Sequence, residues 1–243
     1  MHVLFLILAF LFSSCSCNQN KRSDGFRIGI DPTYAPLNFD ELQPYVTGYV
    51  EELLLEVAKF SGLTFEKIGA NWNTLLEGME RDQYDAVLSS MPTYNFNLAK
   101  YDFSENLLNL GPVVIVPSNA NYSDLKDLSN ELVGVITGDP AVLVIEQYPE
   151  VIIRGYATIP DLLNAVADGE IEAAVLDRLH ALNYVRNLYS ARLKIATAPL
   201  TPVGLRLVTP KGEATRFTRL FNHALEQMQK KKELEALQKK WNL

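Results

Sequence analysis

Two successive rounds of strand-then-helix patterning, divided by the apolar run PVVIV at residues 112–116, constrain this chain more than any other feature. Before the divide, strands are expected at 27–30, 64–68 and 86–88, alternating with segments of helical spacing at 49–60 and 73–81. In the first of those segments Leu53, Leu54, Val57, Ala58 and Phe60 recur at near-helical intervals, and Gly62 follows as a stop signal. After the divide, strands are expected at 132–136, 151–153 and 173–176, and helices at 140–147, 160–167 and 178–188. Strands that alternate with helices pair as a parallel sheet and bury its faces under those helices. Two complete series therefore predict two α/β lobes. A last strand at 204–208 leads into one long helix over about 213–241, in which Phe217, Leu220, Phe221, Leu225, Met228, Leu234, Leu237 and Trp241 carry the apolar positions.

Composition excludes several classes of function. Of the 243 residues 48% are hydrophobic, enough for a packed core and against disorder. The formal net charge of −7 argues against a nucleic-acid partner, and Lys230, Lys231 and Lys232 fall on a helical pattern as a solvated face. His2, His180 and His223 have no candidate nucleophile beside them, so no catalytic residue is expected. Both cysteines, Cys15 and Cys17, lie in the first 17 residues, which leaves the folded body without a disulfide or a metal-ligand spacing. The segment GVITG at 134–138 lacks the Gly and Lys spacing of a phosphate loop, and no cofactor is expected.

The N-terminus reads as a targeting segment. Residues 3–12 form an unbroken apolar run of ten, too short for a bilayer and suited to a signal h-region. Cys15 follows Phe12-Ser13-Ser14 and resembles a lipobox, in which the cysteine becomes the lipidated N-terminus. A signal peptide cut elsewhere, or a short uncleaved anchor, is the other reading. Residues 1–17 are thus assigned to processing and 18–25 to a polar tether, which places the protein in the periplasm, lipid-anchored to a membrane through Cys15.

One stretch points to a ligand. In YDAVLSSMPTYNFNLAKYDFS (84–104) an apolar run ends in the hydroxyls of Ser89 and Ser90. Open α/β sheets hold ligands at the carboxyl ends of their strands. With this stretch stand IGIDPTYAPLNF (28–39), GYVEELLLEVAKFSG (48–62), NWNTLLEGMERDQYDAVLSS (71–90), VGVITGD (133–139), EAAVLD (172–177) and a terminal KKW. In this order the motifs resemble the bacterial extracellular solute-binding proteins of family 3, the capture subunits of polar amino-acid ABC importers.

The resemblance implies the type 2 periplasmic-binding-protein fold: two lobes, each a mainly parallel sheet flanked by helices, joined by two hinge crossings. It implies a first lobe of residues 26–111 and 203–243, a second of 112–202, and crossings near 110–113 and 197–203. Its expected partners are a small polar solute and the membrane permease subunits of an ABC transporter, with the binding protein a monomer.

Carried over residue by residue, the family site falls on Asp31 and Tyr34 as an acid and an aromatic lining the cleft, and on Trp72 as a second aromatic opposite. Ser89 and Ser90 correspond to groups that bond the solute's polar ends, and Asp177 to the carboxylate that holds an α-ammonium. Tyr94 and Asn97 complete the candidate set, but the family's carboxylate-binding Arg falls on Asn97 and a nearby hydroxyl on Pro92. The helix start that would assist it reads Gly138-Asp139-Pro140, in which Pro140 has no amide hydrogen and Asp139 repels anions.

Each of these residues has a plainer role open to it. Asp31 precedes Pro32 and suits an Asx turn, Asp139 suits an N-cap, and Asp177 suits a cap for the helix that follows. Tyr34 and Trp72 suit a core, and Ser89 and Ser90 a tight packing point. Asp85 reads as a strand-starting structural residue.

Asp31, Asp139 and Asp177 with aromatic walls suit a cationic or amide-bearing solute, such as a basic amino acid, an amide side chain or a short peptide. An exported enzyme resembling cyclohexadienyl dehydratases, or a ligand sensor, are the alternatives from other classes.

Overall fold

The structure, a computed structural model, describes residues 25–34, 37 and 39–243. The signal segment, Cys15 and all of the tether but Gly25 lie outside the described residues.

The chain begins with β1 (Phe26–Ile30), α1 (Gln43–Ser61), β2 (Phe65–Gly69), α2 (Leu75–Glu80), β3 (Ala86–Ser89), α3 (Asn95–Leu98), β4 (Tyr101–Phe103) and β5 (Leu108–Asn109). The chain then runs through β6 (Pro112–Pro117), β7 (Leu132–Ile136), α4 (Val142–Ile145), β8 (Ile152–Tyr156), α5 (Ile159–Ala167), β9 (Ala173–Asp177), α6 (Arg178–Asn187) and β10 (Leu193–Ile195). It returns as β11 (Gly204–Pro210), α7 (Thr215–Lys230) and α8 (Glu233–Lys240). The strand order is β2-β1-β3-β11-β4, with β5 also on β11, in one sheet and β10-β6-β9-β7-β8 in the other.

In the first sheet every strand points the same way except β11, and in the second every strand except β6. The two reversed strands are the ones that begin directly after the chain passes between lobes. A strand entering from the other lobe starts at the edge where its neighbours end. Both sheets therefore turn their carboxyl edges toward the crossings.

Local chemistry sets the elements. Pro44 occupies the first turn of α1, where its missing N–H is no loss, and Gly62 ends the helix at φ 69. Helix α1 starts six residues before the expected 49 because its first turns carry Tyr45 and Thr47 outside the apolar stripe. The Tyr84 side chain wedges between β1 and α2, where a Cβ at Gly29 would sit 2.7 Å from its ring and one at Gly78 2.2 Å from its hydroxyl. Asp85 is structural, pairing with Arg27 at 2.7 Å and tying the starts of β1 and β3.

Two expectations are corrected. The single helix over 213–241 is two, because Lys232 takes the left-handed conformation at φ 60 and starts α8 on a new axis. The break lets Leu234, Leu237 and Trp241 reach the α1 face. The expected helix over 140–147 is only one turn, Val142–Ile145, with hydrogen-bonded turns on either side of it.

Candidate functional site

The carboxyl edges of the two sheets meet at the crossings. Leu110 and Gly111 donate their amides to the Val203 carbonyl at 2.9 and 3.1 Å, and Leu200 donates to Pro112 at 2.8 Å. Pro112 in turn pairs with Asp177 at the end of β9. The end of β9 thus abuts the crossings, across from the ends of β1, β2 and β3.

On the first-lobe side, Asp31 is committed to the backbone. Its Oδ1 accepts the Thr33 amide at 2.7 Å and the Thr33 hydroxyl, and its Oδ2 accepts the Trp72 amide at 2.6 Å. Burial alone pushes this carboxyl up, but the bonds from Thr33 and Trp72 outweigh it and hold the pKa below the ordinary 3.8. Asp31 therefore ties the loop after β1 to the 3-10 turn Trp72–Thr74, and so positions Trp72, which is 38% exposed.

Tyr34 turns inward rather than toward the gap. At φ 57 its side chain enters the core, 6% exposed, with its ring 5.8 Å from Phe39. Burial pushes its pKa up to about 12 against a hydrogen bond with Thr47. The spacing of aromatics could not show this, since the direction of the ring depends on a left-handed backbone.

Ser89 is buried, and its Oγ accepts the Met91 amide at 3.1 Å, which turns the chain at the end of β3 and leaves the half-buried Ser90 at the edge. Asn97 spends its amide on the Pro92 carbonyl at 2.8 Å. Tyr94 is 59% exposed with its ring 5.6 Å from Phe96.

On the second-lobe side, Asp139 Oδ1 accepts the Ala141 amide at 2.7 Å, an Asx turn that opens the segment leading to α4. Asp177 precedes α6 yet makes no side-chain cap bond. Asp177 is solvent-exposed, yet enough protein lies around its carboxyl to disfavour the charged form. That crowding and then the charge of Asp139 raise its pKa, with His180 opposing. Asp139 and Asp177 thus share one negative field.

Helix α6 also reaches the first lobe. Leu179 packs into the core under α1, Asn183 Nδ2 donates to Glu41 Oε1 at 3.3 Å, and His180 Nε2 lies 3.7 Å from Asp40 Oδ2. In the sequence His180 is notable only for lacking a candidate nucleophile beside it, and its approach to Asp40 comes from the tertiary structure. Arg206 is absent from the residues that the sequence suggests; it is a charge at the third position of the apolar strand GLRLV and pairs with Ser89 across the sheet. The charge inside that run was the available signal.

No group of residues among those described could hold a metal ion, and no described helix is long and apolar enough to cross a membrane.

Comparison with known proteins agrees with this architecture. The profile of the bacterial extracellular solute-binding proteins, family 3, matches residues 26–243. The arginine-binding extracellular protein ArtP of Bacillus subtilis is 25% identical over 96% of this chain and 93% of its own length. The L-cystine-binding protein TcyJ of Escherichia coli is 26% identical over 92% of this chain and 85% of its own. The crystal structure of the L-cystine solute receptor of Neisseria gonorrhoeae superposes with a TM-score of 0.68 at 19% identity, covering 89% of this chain and 92% of that one. Each of these relatives is named for the solute it binds. A profile match running from the start of β1 to Leu243, on a fold of two sheets with facing carboxyl edges, means that the chain belongs to the bacterial extracellular solute-binding proteins, family 3.

Proposed function

We propose that this protein captures a small amino acid with a basic or amide side chain and delivers it to the permease of an ABC importer. The observation that carries this reading is the pair Asp139 and Asp177. Two acids at one sheet edge, one with a pKa raised by crowding and by the other's charge and only partly relieved by His180, form a net negative site. A cationic group between them relieves that repulsion, and Trp72 on the opposite edge offers a π face to a cation.

The name of the arginine-binding relative agrees with such a solute, whereas that of the L-cystine-binding relative points to a side chain that is neither basic nor an amide. Closure of lobe 26–111 with 203–243 onto lobe 112–202 would bury the solute between them, with crossings near 110–113 and 197–203 as hinges. Lipidation at Cys15, with a monomeric binding protein tethered beside its permease, completes the proposal.

Isothermal titration of the purified protein tests it. L-Arginine, L-histidine or L-glutamine should bind at micromolar affinity or tighter, and L-glutamate far more weakly. Micromolar glutamate binding would overturn the selectivity.

A further inference from the structure

We infer that Arg206, on the returning strand β11, is the residue that receives the carboxylate of the solute. This rests on the amino-acid reading above and adds to it the residue for the solute's acidic end.

Position comes first. β11 runs against β3 with Arg206 opposite Ser89, so Arg206 lies at the edge that also carries Ser90. Leu205 and Leu207 on β11 go into the core beneath α1 and α7. By the alternation of a strand Arg206 therefore faces the other side, with Ser89 and Val208. The guanidinium leans toward the crossing, where Nη2 donates to the Pro202 carbonyl. Two residues earlier, Leu200 bonds Pro112, the partner of Asp177. Arg206 and Asp177 thus flank one crossing from opposite lobes.

Arg206 is also incompletely satisfied. Its Nε is fully buried with no acceptor, and two neighbours in the crossing region, Asn106 Oδ1 and Thr201 Oγ1, are buried without partners as well. No ion pair holds Arg206 among the described residues; Glu105 acts on it only through its field, while burial lowers its pKa. A guanidinium half withdrawn from water and held by one carbonyl is a costly arrangement, and a planar carboxylate is its best-matched partner. An amino acid would then span the gap with its cationic groups toward Asp177 and Asp139 and its carboxylate toward Arg206. Such a dipolar bridge rewards closure because each lobe supplies one sign.

The test compares a carboxylate with its neutral twin. The tightest-binding amino acid among L-arginine, L-histidine and L-glutamine is titrated beside its α-carboxamide, into the wild type, Arg206→Gln and Arg206→Lys. The wild type should prefer the acid by roughly 10- to 100-fold. Arg206→Gln should lose that preference while its affinity for the carboxamide stays within about twofold. Arg206→Lys, a point charge without the fork, should keep part of it, and it serves as the readout should Arg206→Gln fail to fold. An undiminished preference for the acid in either variant would overturn the role of Arg206 and leave solute capture standing. A wild type that binds none of the three would overturn both.

Discussion

At Asp177 the same physics shapes stability and binding in opposite senses. The folded carboxyl has a raised pKa, so the folded state holds its proton more tightly than the unfolded chain does. Stability is therefore lost as pH rises from 3.8 through the folded value, and ionised Asp177 destabilises the unliganded protein at neutral pH. Asp177→Asn should raise the melting temperature of the unliganded protein at pH 7, by more than at pH 4, and should weaken amino-acid binding by roughly tenfold or more. Thermal melts at the two pH values and one titration check both halves. A lower melting temperature at pH 7 would mean that the Asp177 carboxylate braces the fold instead. Asp31 behaves in the opposite way: its pKa is lowered, and the stability it contributes is present above about pH 4 and fades below. Both residues were legible as acids at strand ends. The Asx turn of Asp31 onto the Thr33 amide was open to the sequence as well, but its second bond, from the Trp72 amide 41 residues away, was not.

Among the elements, the join between α1 and α8 shows how a small residue admits a large one. A Cβ at Gly48 would lie 2.2 Å from the Trp241 ring, whose Nε1 donates to Glu52 at 2.9 Å. Gly48→Ala should add about 1 kcal/mol of helix propensity to α1, yet cost about 1–3 kcal/mol more than that in displaced packing. Urea denaturation followed by tryptophan fluorescence should show a lower midpoint, and an unchanged or higher one would mean that α8 docks elsewhere. The break between α7 and α8 was half legible. The apolar positions step by three and four as far as Met228 and then jump six to Leu234, a spacing that one continuous helix does not present on a single face.

For the whole molecule, motion between the lobes must pass through the two crossings, and at Gly111 they pack with no room for a side chain. A Cβ there would meet the Thr201 carbonyl oxygen at 2.4 Å. Gly111→Ala should pry the crossings apart and disturb the bonds from Leu110 and Gly111 to Val203. The expected result is a lower melting temperature together with weaker solute binding. Titration and small-angle scattering with and without L-arginine check this, and wild-type affinity with a wild-type change in radius would contradict it.

Local sequence determined the alternation of strands and helices, the stop at Gly62 and the doubling into two lobes, because apolar periodicity and turn chemistry act over a few residues. Only the tertiary structure decided that β6 and β11 run against their sheets, that Tyr34 turns into the core, and that Asp177 and Arg206 end up on either side of one crossing. Those outcomes depend on which strands pair across long stretches of chain. No window of a few residues carries that information.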